Sequence, residues 1–387
     1  TMSSHFVDAL IAAETAGRDP PRGKEKMYAC FLADVAASVV CNGYIPPHVA
    51  ASAASPTLRV LSWNVHFWQR GYSGEERGDN RAAINDAVRR LSPDVILLQE
   101  VIDPTAVAVS ERQVDRKAQL LRCLDPTLGY VHASWALASD CHVLPASVKA
   151  APGARLGVAI LSRLPLLAAA AVPLGDAGSN GHAATAVLAL PAPSSSPLRR
   201  LGIYTAHLSV RCPGATRLAE IAGVLQHANS GLASREFEEC IVGGDFNQPT
   251  QRDYPAATWR AMARDMDGVG LPLCDGVAPA LRDGTDGGTP GAGDWIASFD
   301  DAGVATPQVT AWNGATVDFM YRRKRADETA AGAAAAASAA AKAGAAPPRP
   351  ASMRLRCAGS WIWYGGAEGD SVPPSDHLPI IVDYTWN

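Results

Sequence analysis

The alternation of apolar and polar residues predicts strands and helices in regular succession from Leu58 onward. Residues 58–65 and 94–99 are apolar runs typical of buried strands, and the 3–4 residue spacing of apolar side chains over residues 84–91 predicts a helix between them. Further strands are predicted at residues 157–162, 184–190, 201–207, 240–244, 316–322, 360–364 and 378–384, and further helices at residues 114–121, 218–225 and 259–266. This succession indicates an α/β protein. Periodicity alone takes a parallel sheet as the default and leaves the strand order open.

Two segments fall outside this pattern. Residues 1–57 contain two short helical patterns split by a Pro-Pro-Arg-Gly breaker and followed by a Pro, Ala and Ser linker, so they are predicted to form a helical N-terminal extension. The main domain is predicted over residues 58–387, and its Ala/Pro-rich stretch at 326–352 is expected to be a surface insertion. Whether the extension packs on the main domain or forms a separate binding module stays open.

The composition narrows the function. Hydrophobic residues make up 48% of the chain and charged residues 19%, which suits a folded core and excludes global disorder. The net charge of −4 argues against a protein that coats nucleic acid by charge alone, but it is compatible with a nuclease that has a local basic rim. No apolar run reaches the ~18 residues that a membrane span requires, so no stable span is expected.

The eight cysteines are scattered and show neither Cys-x-x-Cys pairs nor zinc-ligand spacing. They are expected to be free thiols in a reducing compartment. The beginning of the chain has no basic segment followed by an apolar one. The expected location is therefore intracellular, in the cytoplasm or the nucleus.

Polar side chains stand at the ends of many predicted strands. These residues are Asn64, Glu100, His207, Asp245, Asn247, Asp318, Asp376 and His377. Side chains at strand ends can converge on one edge of a rigid scaffold. Carboxylates, amides and imidazoles together suit Mg²⁺ and phosphoryl chemistry. Any one of them alone would more often be a turn, cap or core residue.

Taken in order, these residues carry a family resemblance. The segments are Trp63-Asn64, Leu98-Gln99-Glu100-Val101, Gly157–Pro165, Thr205-Ala206-His207-Leu208, Gly244-Asp245-Phe246-Asn247, Val317-Asp318-Phe319 and Ser375-Asp376-His377-Leu378-Pro379. Together they resemble the endonuclease/exonuclease/phosphatase superfamily, which has the deoxyribonuclease I-like fold. The resemblance covers roughly residues 58–386. It implies a four-layer α/β sandwich of two mixed β-sheets flanked by helices, in place of the parallel-sheet default.

The resemblance also implies a metal site. Glu100 would be the principal ligand of Mg²⁺, which Mn²⁺ could replace, and Asn64 and Asp376 would lie beside it. Mg²⁺ with one or two imidazolium donors would neutralise the charge that gathers on a phosphoryl group during cleavage.

The catalytic roles follow from the same resemblance. Asp245 would orient or deprotonate the attacking water, and Asn247 would hydrogen-bond the phosphate. His377, oriented by Asp318, would contact the scissile phosphate. His207 would stabilise the developing charge or protonate the leaving oxygen.

The residues indicate the type of reaction more clearly than they indicate the substrate. We expect an Mg²⁺-dependent phosphodiesterase whose partner is a phosphodiester substrate, with nucleic acid as the first choice. The alternatives are a sphingomyelinase-like lipid or small-molecule phosphodiesterase or phosphatase, and a non-catalytic binding domain. The residues do not predict the oligomeric state, endo- or exo-action, or the number of metal ions.

Several neighbours of these residues have two interpretations. His66 and Trp68 either line the cleft or pack, and Trp295 lies in a predicted loop from which it could stack on a base. Arg217 is predicted on the exposed face of its helix. The basic run at residues 322–325 is either a solvated strand exit or a contact to a phosphate backbone.

Overall fold

The computed structural model describes about half of the predicted main domain, including most of its predicted strands. The described residues are 57–68, 80–102, 124–137, 156–172, 174, 181–191, 198–209, 214–247, 295–303, 317–324, 353–363, 374–375 and 377–386. The N-terminal extension, the predicted helices at 114–121 and 259–266, and the Ala/Pro-rich insertion lie outside them. The domain boundaries therefore stay predictions.

Within these residues the strands are β1 (Thr57–Asn64), β2 (Val95–Ile102), β3 (His132–Leu137), β4 (Leu156–Ser162), β5 (Leu166–Val172), β6 (His182–Leu190), β7 (Arg199–His207), β8 (Glu239–Asp245), β9 (Trp295–Ala297), β10 (Asp318–Arg323), β11 (Arg356–Ile362) and β12 (Ile380–Thr385). The helices are α1 (Arg81–Leu91), α2 (Gly214–Ala233) and the short α3 (Ser298–Asp301). Short 3₁₀ turns cover His66–Trp68 and Pro126–Leu128.

The strands form two mixed six-stranded sheets. The first has the order β11-β12-β1-β2-β4-β3, and the second has the order β5-β6-β7-β8-β10-β9. Each sheet has one parallel pair, β1 with β2 and β7 with β8, and its other neighbours are antiparallel. In each parallel pair a helix connects the strands, α1 in the first sheet and α2 in the second, as a parallel connection requires.

The two sheets pack face to face, and a helix covers the outer face of each. Val60 of the first sheet and Ile203 of the second belong to one buried apolar cluster between the sheets. A second cluster joins the first sheet to α1 through Val88, and a third joins the second sheet to α2 through Leu225. The order helix, sheet, sheet, helix confirms the predicted four-layer, deoxyribonuclease I-like sandwich.

The structure contains three strands that the pattern did not predict. β9 has three residues, too few to show alternation, and β5 is a uniform run of Leu, Ala and Val with no polar positions. β3 likewise lacks a regular alternation. Helix α2 is longer than predicted at both ends.

Two of the eight cysteines lie in the described residues. Cys240 and Cys357 are both free thiols, as predicted. None of the helices in the described parts of the chain is long and apolar enough to cross a membrane.

Candidate active site

Strand register brings three of the predicted residues side by side. His207 at the end of β7 is paired with Asp245 at the end of the parallel strand β8. Asp318, the first residue of β10, is paired with the same Asp245 from the other side. Because directly paired residues project from the same face of a sheet, all three side chains stand next to one another.

Asn64 reaches this group from the opposite sheet. It ends β1, is fully buried, and donates from Nδ2 to Oδ2 of Asp245 over 3.0 Å. The remaining side-chain oxygens of both residues cap the turns that follow their strands: Oδ1 of Asn64 accepts from the backbone N–H of His66, and Oδ1 of Asp245 accepts from that of Asn247. These Asx turns fix the rotamers of both side chains, so the contact between the sheets is built from local backbone geometry.

Glu100 joins the site through an irregularity in β2. Its φ of +52° is left-handed, and the pairing of β2 with β4 shifts register between Leu98 and Val101. Gln99 points between the sheets, since its Nε2 donates to Oγ1 of Thr205 over 2.9 Å. Regular alternation would therefore turn Glu100 to the outer face. The bulge re-aims the side chain toward the second sheet, where its Oε1 lies 3.7 Å from Nε2 of His207.

The close pairing of β7 and β8 depends on Gly244. Its φ is +144°, and a Cβ added there would lie 1.9 Å from the carbonyl oxygen of Ala206. Only glycine fits this backbone approach and this conformation. The glycine therefore permits the register that places His207 beside Asp245.

Several hydrogen bonds fix His377 and the segment around it. Its Nδ1 lies 2.9 Å from Oδ2 of Asp318, and both side chains are buried. Its backbone carbonyl accepts from Nε1 of Trp63, and the nearby Ser375 donates from Oγ to the carbonyl of Asn64. The pairing with Asp318 makes Nδ1 the protonated nitrogen, so Nε2 faces the centre of the site, 3.8 Å from Oδ2 of Asp245.

Asn247 lies at the edge of this group. It has a φ of +51°, and its Nδ2 donates to the carbonyl of Leu208 over 2.9 Å. Leu208 in turn donates its N–H to the carbonyl of Asp245. These bonds connect the segments that follow β7 and β8.

The arrangement provides two groups of side chains that could hold a metal ion. One consists of Glu100, His207 and Asp245, and the other of Asp245, Asp318 and His377; within each, the ligand atoms lie within 4.8 Å of one another. Buried carboxylates that converge without a neutralising cation are costly. Because oxygen donors suit hard divalent cations, the first group with its two carboxylates fits Mg²⁺ or Mn²⁺.

His182 lies near the site and was not singled out by the sequence analysis. His182 begins β6 and is paired with His207, so the two imidazoles stand on the same face. Burial, and to a smaller extent the charge of His207, lower the pKa of His182 to about 4. His182 is therefore neutral at pH 7. Its place beside His207 follows from the β6–β7 register, which the sequence did not predict.

All the predicted site residues that the structure describes come together: Asn64, Glu100, His207, Asp245, Asn247, Asp318 and His377. Asp376 lies outside the described residues, so its place among the metal ligands stays a prediction. Trp68 is buried in the cluster beneath α1 and therefore packs, whereas His66 is half-buried next to Asn64.

Three expectations for neighbouring residues were wrong. Arg217 is buried, and its Nη1 donates to the carbonyl of Ser209, because the segment after β7 folds over that face of α2. Trp295 is fully buried in the outer core of the second sheet. Arg322 is also buried, and both its Nε and Nη2 bond Asp301 over 2.6 Å.

The position of that basic run follows from strand geometry. Arg322, the first residue of the run, lies four residues along β10 from Asp318, which corresponds to about 13 Å of extended strand. The run thus begins near the end of β10 that is away from the site.

Several solved structures are similar to this chain. The human Nocturnin catalytic domain with bound sulfate is 18% identical, with a TM-score of 0.53 over 86% of this chain and 94% of that one. An endonuclease/exonuclease/phosphatase from Beutenbergia cavernae DSM 12333 is 18% identical, with a TM-score of 0.49 over 85% of this chain and 71% of that one. Humanized D. rerio TDP2 is 15% identical, with a TM-score of 0.45 over 86% of this chain and 99% of that one. At such identity the similarity to Nocturnin shows the fold.

The curated proteins contain no match to this chain. The family model described as the Endonuclease/Exonuclease/phosphatase family matches residues 61–377, which include every predicted site residue. The chain belongs to the endonuclease/exonuclease/phosphatase family.

Proposed function

We propose that the chain is a divalent-metal-dependent hydrolase that cleaves phosphodiester bonds in nucleic acid. The observation that carries the proposal is the convergence on Asp245, whose Oδ2 lies 3.0 Å from Nδ2 of Asn64, 3.6 Å from Nε2 of His207 and 3.8 Å from Nε2 of His377. A buried carboxylate that faces two imidazoles and an amide is suited to orient water next to groups that stabilise negative charge.

Glu100 is proposed as the principal metal ligand, with Asn64 and Asp376 beside it. The carboxylate of Glu100 is partly exposed at the edge of the site and projects from a strained backbone position, which is common where function dictates a side-chain direction. The amide oxygen of Asn64 has a second lone pair besides the one that accepts from His66. A bound Mg²⁺ or Mn²⁺ would supply charge neutralisation at the phosphoryl oxygens.

The chain's own residues would perform the proton transfers. Asp245 accepts a proton from the attacking water, whose oxygen forms the new bond to phosphorus as the bond to the leaving oxygen breaks. His207 delivers a proton to that leaving oxygen. Asn247 donates a hydrogen bond to the phosphoryl oxygens, where the negative charge accumulates, and His377, held by Asp318 as an imidazolium, donates another from Nε2–H.

The choice of nucleic acid rests on the aromatic turn that follows Asn64. His66 and Phe67 are both half-buried there, with ring centroids 5.4 Å apart, so part of the surface of each residue stays exposed directly after Asn64. Aromatic side chains stack on bases of single-stranded nucleic acid with little sequence preference. A lipid or a small phosphate ester has no base for such a contact.

The test is a substrate panel with the purified full chain in Mg²⁺, in Mn²⁺ and in EDTA. The substrates are single- and double-stranded DNA, RNA, sphingomyelin vesicles, and inositol phosphates. Turnover of DNA or RNA that EDTA abolishes is expected. Cleavage of sphingomyelin or inositol phosphates alone would select the lipid or small-molecule alternative, and no turnover of any substrate would favour a binding domain.

Glu100→Gln isolates the metal ligand, since the amide has nearly the shape of the carboxylate but not its charge. We expect it to abolish turnover while the melting temperature changes little. Glu236→Gln is the matched control, because Glu236 is exposed beyond the end of α2. A Glu100→Gln protein with near wild-type turnover in saturating Mg²⁺ would contradict the metal assignment.

A further inference from the structure

Asn80 is a fully buried polar residue next to the site, and neither the family resemblance nor the proposed mechanism assigns it a role. It occupies the N-cap position of α1, and its carbonyl accepts the helical N–H of Ile84. An asparagine at this position usually caps the helix with its side chain. The Asn80 side chain makes no such bond.

The side chain instead bridges two segments that carry site residues. Its Nδ2 donates to the carbonyl of Pro374 over 2.6 Å and to the carbonyl of Val65 over 3.2 Å. Val65 directly follows Asn64, and Pro374 lies three residues before His377. Both hydrogens of the amide are therefore used to hold the end of β1 against the segment that leads into β12.

The segment after Asn64 needs such support. His66, Phe67 and Trp68 have φ values of +44°, +57° and +61°, a left-handed run that non-glycine residues do not adopt by preference. A backbone of this kind persists only where its surroundings hold it. The backbone N–H of Asn80 contributes a second contact by donating to the carbonyl of Trp68.

The same two segments are joined at two further points. Oγ of Ser375 donates to the carbonyl of Asn64, and Nε1 of Trp63 donates to the carbonyl of His377. The bonds from Nδ2 of Asn80 to the carbonyls of Val65 and Pro374 connect the same two segments again. We expect their loss to loosen the segment around Pro374, while the bonds of Ser375 and Trp63 keep the fold.

We propose that Asn80 is a positioning residue that sets the place of His377 relative to Asn64. This inference rests on the proposed phosphodiesterase function, and it gives the α1 N-cap a role in catalysis in place of helix capping. Asn80 acts through backbone carbonyls and touches no reacting group.

Asn80→Asp distinguishes the proposed positioning role from a role in helix capping. Aspartate caps helices as well as asparagine, and its charge is favourable at a helix N-terminus, but it has no N–H to donate to Val65 or Pro374. We expect kcat to fall at least tenfold with KM within threefold, on whichever panel substrate the wild-type chain turns over. Asn85→Asp on the same helix is the matched control and should stay within twofold, since among the described residues its side chain bonds Arg81 and Asp125, which belong to neither segment.

A double-mutant comparison tests whether Asn80 affects kcat through His377. In a His377→Ala background, Asn80→Asp should cost less than threefold, because the group that it positions is already absent. A tenfold loss in that background would overturn the proposal. Such a result would leave the proposed function intact, whereas failure of the wild-type chain on every substrate would refute that function first.

Asn80→Ser guards against unfolding of the aspartate variant. Serine keeps a capping oxygen but is too short to reach both carbonyls, so it should reproduce the loss in kcat. Circular dichroism and melting curves are recorded for both variants at the assay temperature. Loss of activity that only follows loss of folded protein in both variants, or unchanged kcat in either folded variant, would overturn the proposal.

Discussion

Nδ2 of Asn64 donates to Oδ2 of Asp245 across 3.0 Å, and this bond joins the end of β1 in one sheet to the end of β8 in the other. Both side chains are almost completely buried. The bond gives the carboxylate a neutral donor partner in a place where a second carboxylate would be repelled. The electrostatic balance of the site therefore depends on Asn64 being an amide.

Asn64→Asp should make the stability of the protein depend on metal. Two buried carboxylates about 3 Å apart would repel each other, so the metal-free variant should lose roughly 1–3 kcal/mol of unfolding free energy. Mg²⁺ or Mn²⁺ should then raise its melting temperature more than that of the wild type. Asn64→Ala is the control, because it loses the bond without adding charge. Equal metal responses of the wild type and Asn64→Asp would refute this prediction.

Asp318 and His377 should act as a unit. His377→Ala should lower the rate by about 10²–10⁴-fold. Asp318→Asn should lower it by a smaller factor, since it leaves the imidazole present but without its orienting carboxylate. Because the two side chains lie 2.9 Å apart, the double variant should be little slower than His377→Ala alone. The rate constant of cleavage in single-turnover experiments measures this. Strictly multiplicative losses would show that the two residues act independently.

His207→Ala should lower the rate by about 10²–10⁴-fold while the fold is retained. The imidazole lies within 4 Å of both Glu100 and Asp245, and Asp245 keeps its bonds from Asn64 and Asn247 when the imidazole is removed. A substrate with a good leaving group, such as a nitrophenyl ester, needs less protonation of the leaving oxygen and should lose less. If both kinds of substrate lose the same factor, His207 does not serve as the proton donor.

Gly244→Ala should unfold or strongly destabilise the protein, by at least about 3 kcal/mol, because the new Cβ would collide with the backbone of Ala206. Gly129→Ala is the matched control. It also has a positive φ, +80°, but nothing lies within 4 Å of an added Cβ, so only the backbone strain of about 1 kcal/mol is expected. Urea unfolding curves measure both. Similar losses in the two variants would mean that strain, and not the β7–β8 contact, sets the cost.

The thiols of Cys240 and Cys357 should be unreactive in the folded protein. Burial raises the pKa of Cys357 to about 12 and raises that of Cys240 well above its usual range. Since the thiolate is the nucleophile, iodoacetamide at pH 8 should leave both unmodified until urea is added, as judged by peptide mass spectrometry. Because the raised pKa values favour the protonated form in the folded state, stability should decrease as the pH rises above about 8.5. Rapid labelling without denaturant would contradict the burial.

The chain's local pattern predicted most of the elements that matter for the site. Strands β1, β2, β7, β8, β10 and β12 and helices α1 and α2 were found close to where apolar spacing placed them, because periodicity records which face of an element is buried. β5 and β9 were missed, since a uniform run and a three-residue strand have no period to detect.

The composition of the site was also predictable, but its assembly was not. Asn64, Glu100, His207 and Asp245 could be selected as polar residues at strand ends in a familiar order. The contact between Asn64 and Asp245 spans 181 residues of sequence and depends on how two sheets face each other. No local pattern contains that information, because strand order is decided by the packing of the whole core.

The directions and partners of several side chains were also decided only by the tertiary structure. Regular alternation along β2 would direct the Glu100 side chain away from the site. A bulge that the sequence does not predict directs it toward the site. Arg217 seemed solvated because its helix face is polar, yet the segment after β7 covers that face and bonds the guanidinium. Asn80 was not singled out by the sequence, and although it stands at the N-cap position of α1, its amide bonds two carbonyls from other segments. In each case the sequence determined the residue and its element, while a contact with backbone outside that element determined what the side chain does.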